Sequence, residues 1–177
     1  MRLKWTKLQK VSSETNILTF DNNLTVCFDM KPILAVMVGI SGSGKSTYAN
    51  GLKTSLKAEL VETDAVRMEL TGNAEDQSQN GSVFAVAKKR VNDYLSQGKN
   101  TIIDATSLNI KERKDWIDIG KANNAEIRAY FIDTPVSDCK AQNSKRDRKV
   151  PEWVIDKQAS KLFGPTKSEG FDSVVTI

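Results

Sequence analysis

The chain of 177 residues contains no histidine. That excludes imidazole general bases and histidine-containing zinc sites, so any proton transfer falls to a carboxylate or a lysine. Cysteine is nearly absent as well. Cys27 and Cys139 are far apart and share no C-x-x-C spacing, which reads as two free thiols in a reducing compartment. No apolar run approaches the roughly 18 residues needed to span a bilayer. The N-terminal "MRLKWTKLQK" is basic but lacks the apolar stretch of a secretory signal, and no membrane partner is expected. The sequence also lacks N-K-x-D, the string with which GTPases read guanine.

What remains is an ordinary globular composition, 39% hydrophobic and 27% charged, with a net charge of +4. The length suits one α/β domain with a proper core, and the positive charge favours an anionic partner without naming it. Five apolar runs read as strands: Ile33–Val38, Leu60–Glu62, Thr101–Asp104, Ile127–Ile132 and Ser173–Ile177. Helical patterns separate them. Ser46–Lys57 spaces Tyr48, Leu52 and Leu56 four apart, and Val83–Gln97 carries an apolar stripe closed by Gly98, which suits a left-handed helix end. Asn109 with Glu112 predicts a capping box. Pro135 and Pro151 fall where a first helical turn tolerates proline, and the last helix is expected to run to about Phe163. Alternating strands and helices predict a parallel sheet covered on both faces with right-handed crossovers. Residues 1–31 stand apart from 32–177. "NILTFDNNLTVCFD" alternates around Asn22-Asn23 and predicts a hairpin, either added to the sheet edge or a separate appendage. Residues 73–81 read as a polar loop.

Directly after the first buried-type strand comes "GISGSGKST", residues 39–47. Gly39, Gly44, Lys45 and Ser46 fit G-x-x-x-x-G-K-[ST] without a mismatch. Glycines let the backbone curl until successive N–H groups point inward, and the following helix offers its positive end to an anion. Gly39, Ser41, Gly42, Ser43, Gly44, Lys45, Ser46 and Thr47 are therefore candidates to hold ATP phosphates. Lys45 would reach the β- and γ-phosphates, and the Ser46 hydroxyl would ligate Mg²⁺.

Phosphate loops serve several chemistries. "TIID" ends in Asp104 and is followed by Ala105-Thr106, so a single carboxylate stands where hydrolysing ATPases usually place a second one to activate water. Phosphoryl transfer to an acceptor needs a base for a hydroxyl and arginines for the migrating group. "TDAVR" after the second strand supplies both, because a helix starting near Asp64 puts Asp64 and Arg67 on one face. The same spacing also describes a helix cap and a surface arginine. "NSKRDRKV", residues 143–150, packs Lys145, Arg146, Arg148 and Lys149 between two predicted helices, either as a closing basic lid or as a solvated turn.

These elements resemble the polynucleotide 5′-hydroxyl kinase group of P-loop kinases, especially the phage-type kinase domain. The resemblance covers roughly Leu34 to Ile177 and rests on the phosphate loop, D-x-x-R at Asp64/Arg67, "DATSLN…ER..W" from Asp104 to Trp116, and "NSKR" at Asn143–Arg146 before Val150-Pro151. It implies a P-loop kinase three-layer sandwich with a five-stranded, mainly parallel sheet. It implies Asp64 as general base on the 5′-hydroxyl, Arg67 on the phosphate to its 3′ side, and Arg146 on ATP phosphates; Arg148, in the same basic run, is a further candidate for the nucleotide. Lys45, Asp64 and Arg146 form the implied catalytic set, and Asp104 and Thr106 line the implied acceptor pocket. This chain carries one extra residue between Asp104 and Asn109, and Gln142 stands where some relatives have another basic lid residue. The D-x-D pair of the associated 3′-phosphatase is missing, so a stand-alone kinase is expected. The implied cofactors are ATP and Mg²⁺, the partner a single-stranded nucleic-acid 5′ end, and the compartment the cytoplasm (of the host, for a phage protein). With 7% aromatic residues, contact with one to three nucleotides is expected rather than a long stacking platform. Two other functions fit the same motifs: a kinase of a nucleoside, nucleotide or sugar, and a non-catalytic nucleotide-binding adaptor.

Overall fold

The computed structural model describes residues 5–10, 15–20, 25–29 and 31–177, the first three segments as backbone strands. They divide into two compact units, Met1–Lys31 and Pro32–Ile177. In the first unit β1 (Trp5–Lys10), β2 (Thr15–Phe20) and β3 (Thr25–Asp29) pair antiparallel in that order. The reversal expected at Asn22-Asn23 lies outside the described residues.

The second unit is an α/β sandwich. Its strands are β4 (Ile33–Val38), β5 (Glu59–Glu62), β6 (Thr101–Asp104), β7 (Glu126–Phe131) and β8 (Ser173–Thr176). They form one sheet in the order β5-β6-β4-β7-β8, and every neighbouring pair is parallel. The helices are α1 (Lys45–Leu56), α2 (Thr63–Thr71), α3 (Asn80–Ser96), α4 (Ile110–Ala122), α5 (Val136–Ser144) and α6 (Glu152–Ala159). The central strand explains the layering. Successive side chains of a strand point to opposite faces, and β4 is apolar throughout. Leu34, Val36 and Val38 pack with Ala87, Val91 and Leu95 of α3 and Trp116 and Ile117 of α4. Ala35 and Met37 pack on the other face with Tyr48, Ala49, Leu52 and Leu56 of α1. A third cluster of Ile40, Leu108, Cys139 and Ile155 closes the end of the sheet where the strands finish, which is where open α/β sheets bind ligands.

Four local expectations need adjustment. Helix α3 begins at Asn80 rather than Val83, because the chain has already turned at 77–80, where the Asn80 N–H donates to the Gln77 carbonyl. Pro135 and Pro151 are both extended N-cap residues, with ψ of 142° and 137°, one position before the first helical turn. Glu112 does not close the expected capping box on Asn109. Its N–H binds the Asn109 side chain, but its carboxylate reaches one residue further back, to the Leu108 N–H at 2.9 Å. Helix α6 stops at Ala159 because the chain is drawn back to the loop before α4, where the Phe163 N–H donates to the Leu108 carbonyl at 2.9 Å.

Candidate active site

The phosphate loop leaves the buried end of β4. Gly42 has φ +83°, and a Cβ there would lie 2.3 Å from the Cys139 carbonyl oxygen, so α5 is packed against a position that only glycine fills. Gly44, at φ +93°, caps α1 without any side-chain hydrogen bond, leaving the first N–H groups of that helix open to an anion. The Gly39 N–H donates to the Thr106 carbonyl at 3.1 Å and ties the loop to the segment after β6. Lys45 is buried, and its ammonium donates to the Ile40 carbonyl across the loop at 2.7 Å. Burial lowers the Lys45 pKa to about 8, with the nearby Asp104 carboxylate acting in the opposite direction. The Ser43 hydroxyl is buried and has no partner among the described residues. An orphaned hydroxyl inside a curl of N–H groups suits a ligand rich in acceptor oxygens.

At the foot of the loop the Ser46 hydroxyl donates to Asp104 Oδ2 at 2.6 Å. Asp104 closes β6 and is 8% exposed. Burial raises its pKa, and the Ser46 hydrogen bond opposes the shift. A hydroxyl and a carboxylate in contact are hard oxygen donors of the kind Mg²⁺ takes, completed by substrate phosphates. No cluster of three or more acidic or cysteine side chains that could cage a metal by itself occurs among the described residues. Glu62, at the end of the neighbouring strand β5, has its pKa raised by burial and by the negative charge of Asp104 and Asp64.

Helix α2 begins at Thr63, so Asp64 lies in its first turn and Arg67 one turn on. Arg67 Nη1 binds Asp64 Oδ1 at 2.6 Å, and Nη2 binds the Asn80 side-chain carbonyl at 3.1 Å. The Arg67 guanidinium is nearly sealed, yet its Nε has no partner among the described residues. Asp64 keeps 59% of its side chain exposed. The second carboxylate oxygen of Asp64 accepts Arg148 Nη1 at 3.1 Å, and Arg148 Nη2 also binds the Ala74 carbonyl at 3.0 Å.

These groups line one cleft of about 640 Å³, with Lys45, Asp64, Arg67, Asp104, Thr106 and Arg146 in its walls. Arg146 is exposed and its guanidinium has no hydrogen-bond or ion-pair partner among the described residues, although its charge acts on both Lys45 and Asp104. A second cavity, about 680 Å³, lies across the phosphate loop from the first and is lined by Thr47, Tyr48, Leu52, Ile132, Thr134 and Gln142. Ser41, Gly42, Lys45 and Ser46 face the cleft, Thr47 faces the second cavity, and Ser43 and Gly44 border one or both. Arg148, grouped with the nucleotide residues by the sequence, lines the same cleft and touches Asp64 and the 73–79 loop.

Several groups had no signal in the sequence. Gln158, from α6, accepts the Ser41 N–H at 2.7 Å. Asn80 holds Arg67 and donates to Gln77 at 2.8 Å. Each is a common polar residue on an ordinary helix or turn, and only the long-range packing gives it a role.

A parallel sheet in this strand order, a loop of this curl at the end of its central strand and a basic segment over the cleft define a P-loop kinase fold. The chain belongs to the AAA domain family, which it matches over residues 34–165. It is 27% identical, over 186 aligned residues, to a protein of Autographa californica nuclear polyhedrosis virus named as a bifunctional polynucleotide kinase/RNA ligase, covering 91% of this chain and 26% of the relative. It is 26% identical to the bifunctional polynucleotide phosphatase/kinase of Schizosaccharomyces pombe, covering 80% of this chain and 32% of the relative. The chain thus spans a third or less of each of these relatives. Among solved structures, a chain of the Pnkp1/Rnl/Hen1 RNA repair complex superposes with a TM-score of 0.67 at 25% identity, over 76% of this chain and 45% of that one. A gluconokinase from Sinorhizobium meliloti shares the fold with a TM-score of 0.60 at 18% identity, over 83% and 82% of the two chains.

Proposed function

We propose that this protein transfers the γ-phosphate of ATP to the 5′-hydroxyl of a polynucleotide, RNA or DNA. The observation that carries the reading is the Asp64–Arg67 pair: a carboxylate and a sealed guanidinium, 2.6 Å apart, in the same cleft as Lys45 and the phosphate loop. The relatives named as polynucleotide kinases support the nucleic-acid acceptor.

In this reading the N–H groups of the 39–47 loop, with the Lys45 ammonium and the Ser43 hydroxyl, receive the ATP phosphates. The Lys45 ammonium leaves the Ile40 carbonyl for phosphate oxygens. Ser46 and Asp104 are the residues that would hold Mg²⁺, which would supply positive charge against the phosphate oxygens. The second cavity, with Tyr48 and Leu52 as apolar walls, takes the adenine. From the other side Arg67 takes the phosphate 3′ to the acceptor nucleotide through a charge-assisted contact. Thr106 lines the acceptor side. Asp64 accepts the proton of the 5′-hydroxyl as that oxygen bonds to the γ-phosphorus and the bond to the β-phosphate oxygen breaks. Lys45 and Arg146 balance the charge spread over the γ-oxygens. Contact is with a short single-stranded end, in the cytoplasm.

A small hydroxylated metabolite is the second reading, and the uncharged amides of Gln77 and Asn80 in the cleft favour it. Incubation with γ-labelled ATP and a panel of 5′-OH oligomers, nucleosides and gluconate-like sugars separates the two. End-labelled oligomer is expected, and label on a sugar or nucleoside alone would overturn the assignment. Asp64→Asn should lower kcat about 10²-fold or more while ATP affinity holds within about twofold. Turnover at the parent rate would remove Asp64 as the base.

A further inference from the structure

Within the polynucleotide reading, on which this inference rests, we infer that Arg148 is a second acceptor-phosphate clamp that waits on Asp64 until the acceptor arrives. Two guanidinium groups share the Asp64 carboxylate, Arg67 on Oδ1 at 2.6 Å and Arg148 on Oδ2 at 3.1 Å. Each oxygen has two lone pairs, so an incoming hydroxyl bonds to Oδ1 or Oδ2 beside a guanidinium or in place of one. Arg67 cannot easily yield, being 5% exposed and fixed from its other side by Asn80. Arg148 can. Its side chain is 39% exposed and its remaining contacts, the Ala74 carbonyl at 3.0 Å and Glu75 at 3.8 Å, are to the exposed 73–79 loop.

Displacement leaves a tethered guanidinium at the cleft mouth without the carboxylate that balanced it. The acceptor brings the replacement charge. A 3′-mononucleotide has one phosphate, which Arg67 takes, whereas an oligomer carries further phosphates outward past the 73–79 loop. Arg148 is held between Asp64 and the 73–79 loop, whereas the charge of Arg146 acts on Lys45 and Asp104. The same side chain therefore pairs with the base in the empty protein and selects for acceptors longer than one nucleotide when it lets go.

The test is equilibrium binding, without ATP, of 3′-fluorescein-labelled hexamers of uridine and of thymidine with free 5′-hydroxyls. It compares the parent chain, Arg148→Ala and Arg148→Lys from about 50 to 300 mM KCl, with 3′-UMP and 3′-dTMP as competitors. Arg148→Ala should weaken hexamer binding about tenfold at the low-salt end, the scale of one charge-assisted contact. It should also lower the slope of log K against log[salt] by about 0.7, one phosphate on a single strand. Affinity for the 3′-monophosphates should stay within about twofold or improve. Arg148→Lys should keep the slope and lose part of the affinity. Melting temperatures check that both variants fold, and the lysine-to-alanine slope difference reads out the charge at equal side-chain loss of the fork. Equal losses on hexamer and monophosphate, an unchanged slope, or tighter hexamer binding by Arg148→Ala overturns the clamp. A parent chain that binds hexamers but forms no end-labelled product overturns the kinase reading instead.

Discussion

Removing the Glu169 carboxylate should destabilise the protein through a residue with no part in phosphate binding. Arg113 on α4 is 0% exposed and Glu169, in a short 3-10 turn after α6, is 5% exposed at the side chain. The guanidinium binds both carboxylate oxygens, at 2.7 and 2.9 Å, and donates to the Ser107 carbonyl at 3.0 Å and the Phe163 carbonyl at 2.9 Å. Glu169→Ala leaves a sealed cation without its counter-ion. Such deletions cost about 3–5 kcal/mol, and the two surviving carbonyl contacts place this one near the lower end, at about 3 kcal/mol. For a chain of this size that corresponds to a fall in Tm of about 6–12 °C. Glu169→Gln, which keeps an acceptor and drops the charge, should fall between. Urea unfolding monitored by tryptophan fluorescence measures both, since Trp116 sits in the core beside α3. A loss below about 1 kcal/mol for Glu169→Ala would show that water reaches Arg113 and that the pair does not hold the fold. The consequence for the cleft is local. Ser107 has φ +47° and lies on the loop that carries Thr106, so this arginine fixes one wall of the cleft from behind.

Three further outcomes follow from the phosphate loop. Nucleotide phosphates favour the charged form of Lys45, so its pKa rises above the empty value of about 8 when ATP binds. Binding then takes up a proton in that window, and ATP affinity should decline as pH climbs from about 8 to 9.5, by up to about tenfold per unit. Lys45→Arg, charged throughout, should abolish the slope; a flat parent profile in a fluorescence titration refutes the burial argument. In the same window the folded chain binds fewer protons than the unfolded one, whose lysine titrates near 10.5. The stability cost of burying this ammonium is therefore fully present below about pH 8 and is relieved as pH rises toward 10.5. Gly42→Ala drives a methyl group to 2.3 Å from the Cys139 carbonyl at φ +83°, and should reduce ATP affinity at least tenfold by opening the loop from α5. Parent-like ATP binding by isothermal titration would show that the contact yields without cost.

How much of this was legible follows the sequence separation of the contacts. Strand β4 could be read because six apolar residues in a row bury both faces of a central strand. The phosphate loop could be read because its glycines, lysine and serine are contiguous, and Asp64–Arg67 because three residues along a helix is one turn. Each of these is a local rule. The hairpin expected at Asn22-Asn23 stays an expectation, lying outside the described residues. The contacts that complete the site bridge far larger spans: Ser46 to Asp104 over 58 residues, Arg148 to Asp64 over 84, and Ser41 to Gln158 over 117. No periodicity or motif encodes such a pairing, even where it marks one or both partners, because the geometry exists only after the sheet has assembled. The nucleotide side depends on contiguous backbone and is thus largely written in nine residues. The Asp64 side of the cleft is assembled from α2, the 73–79 loop, α3 and the basic 145–149 segment, four segments that no local pattern joins. If the proposed reading holds, acceptor choice is accordingly the property that substitutions at Arg148, Asn80 or Gln77 should change while the phosphate loop stays the same.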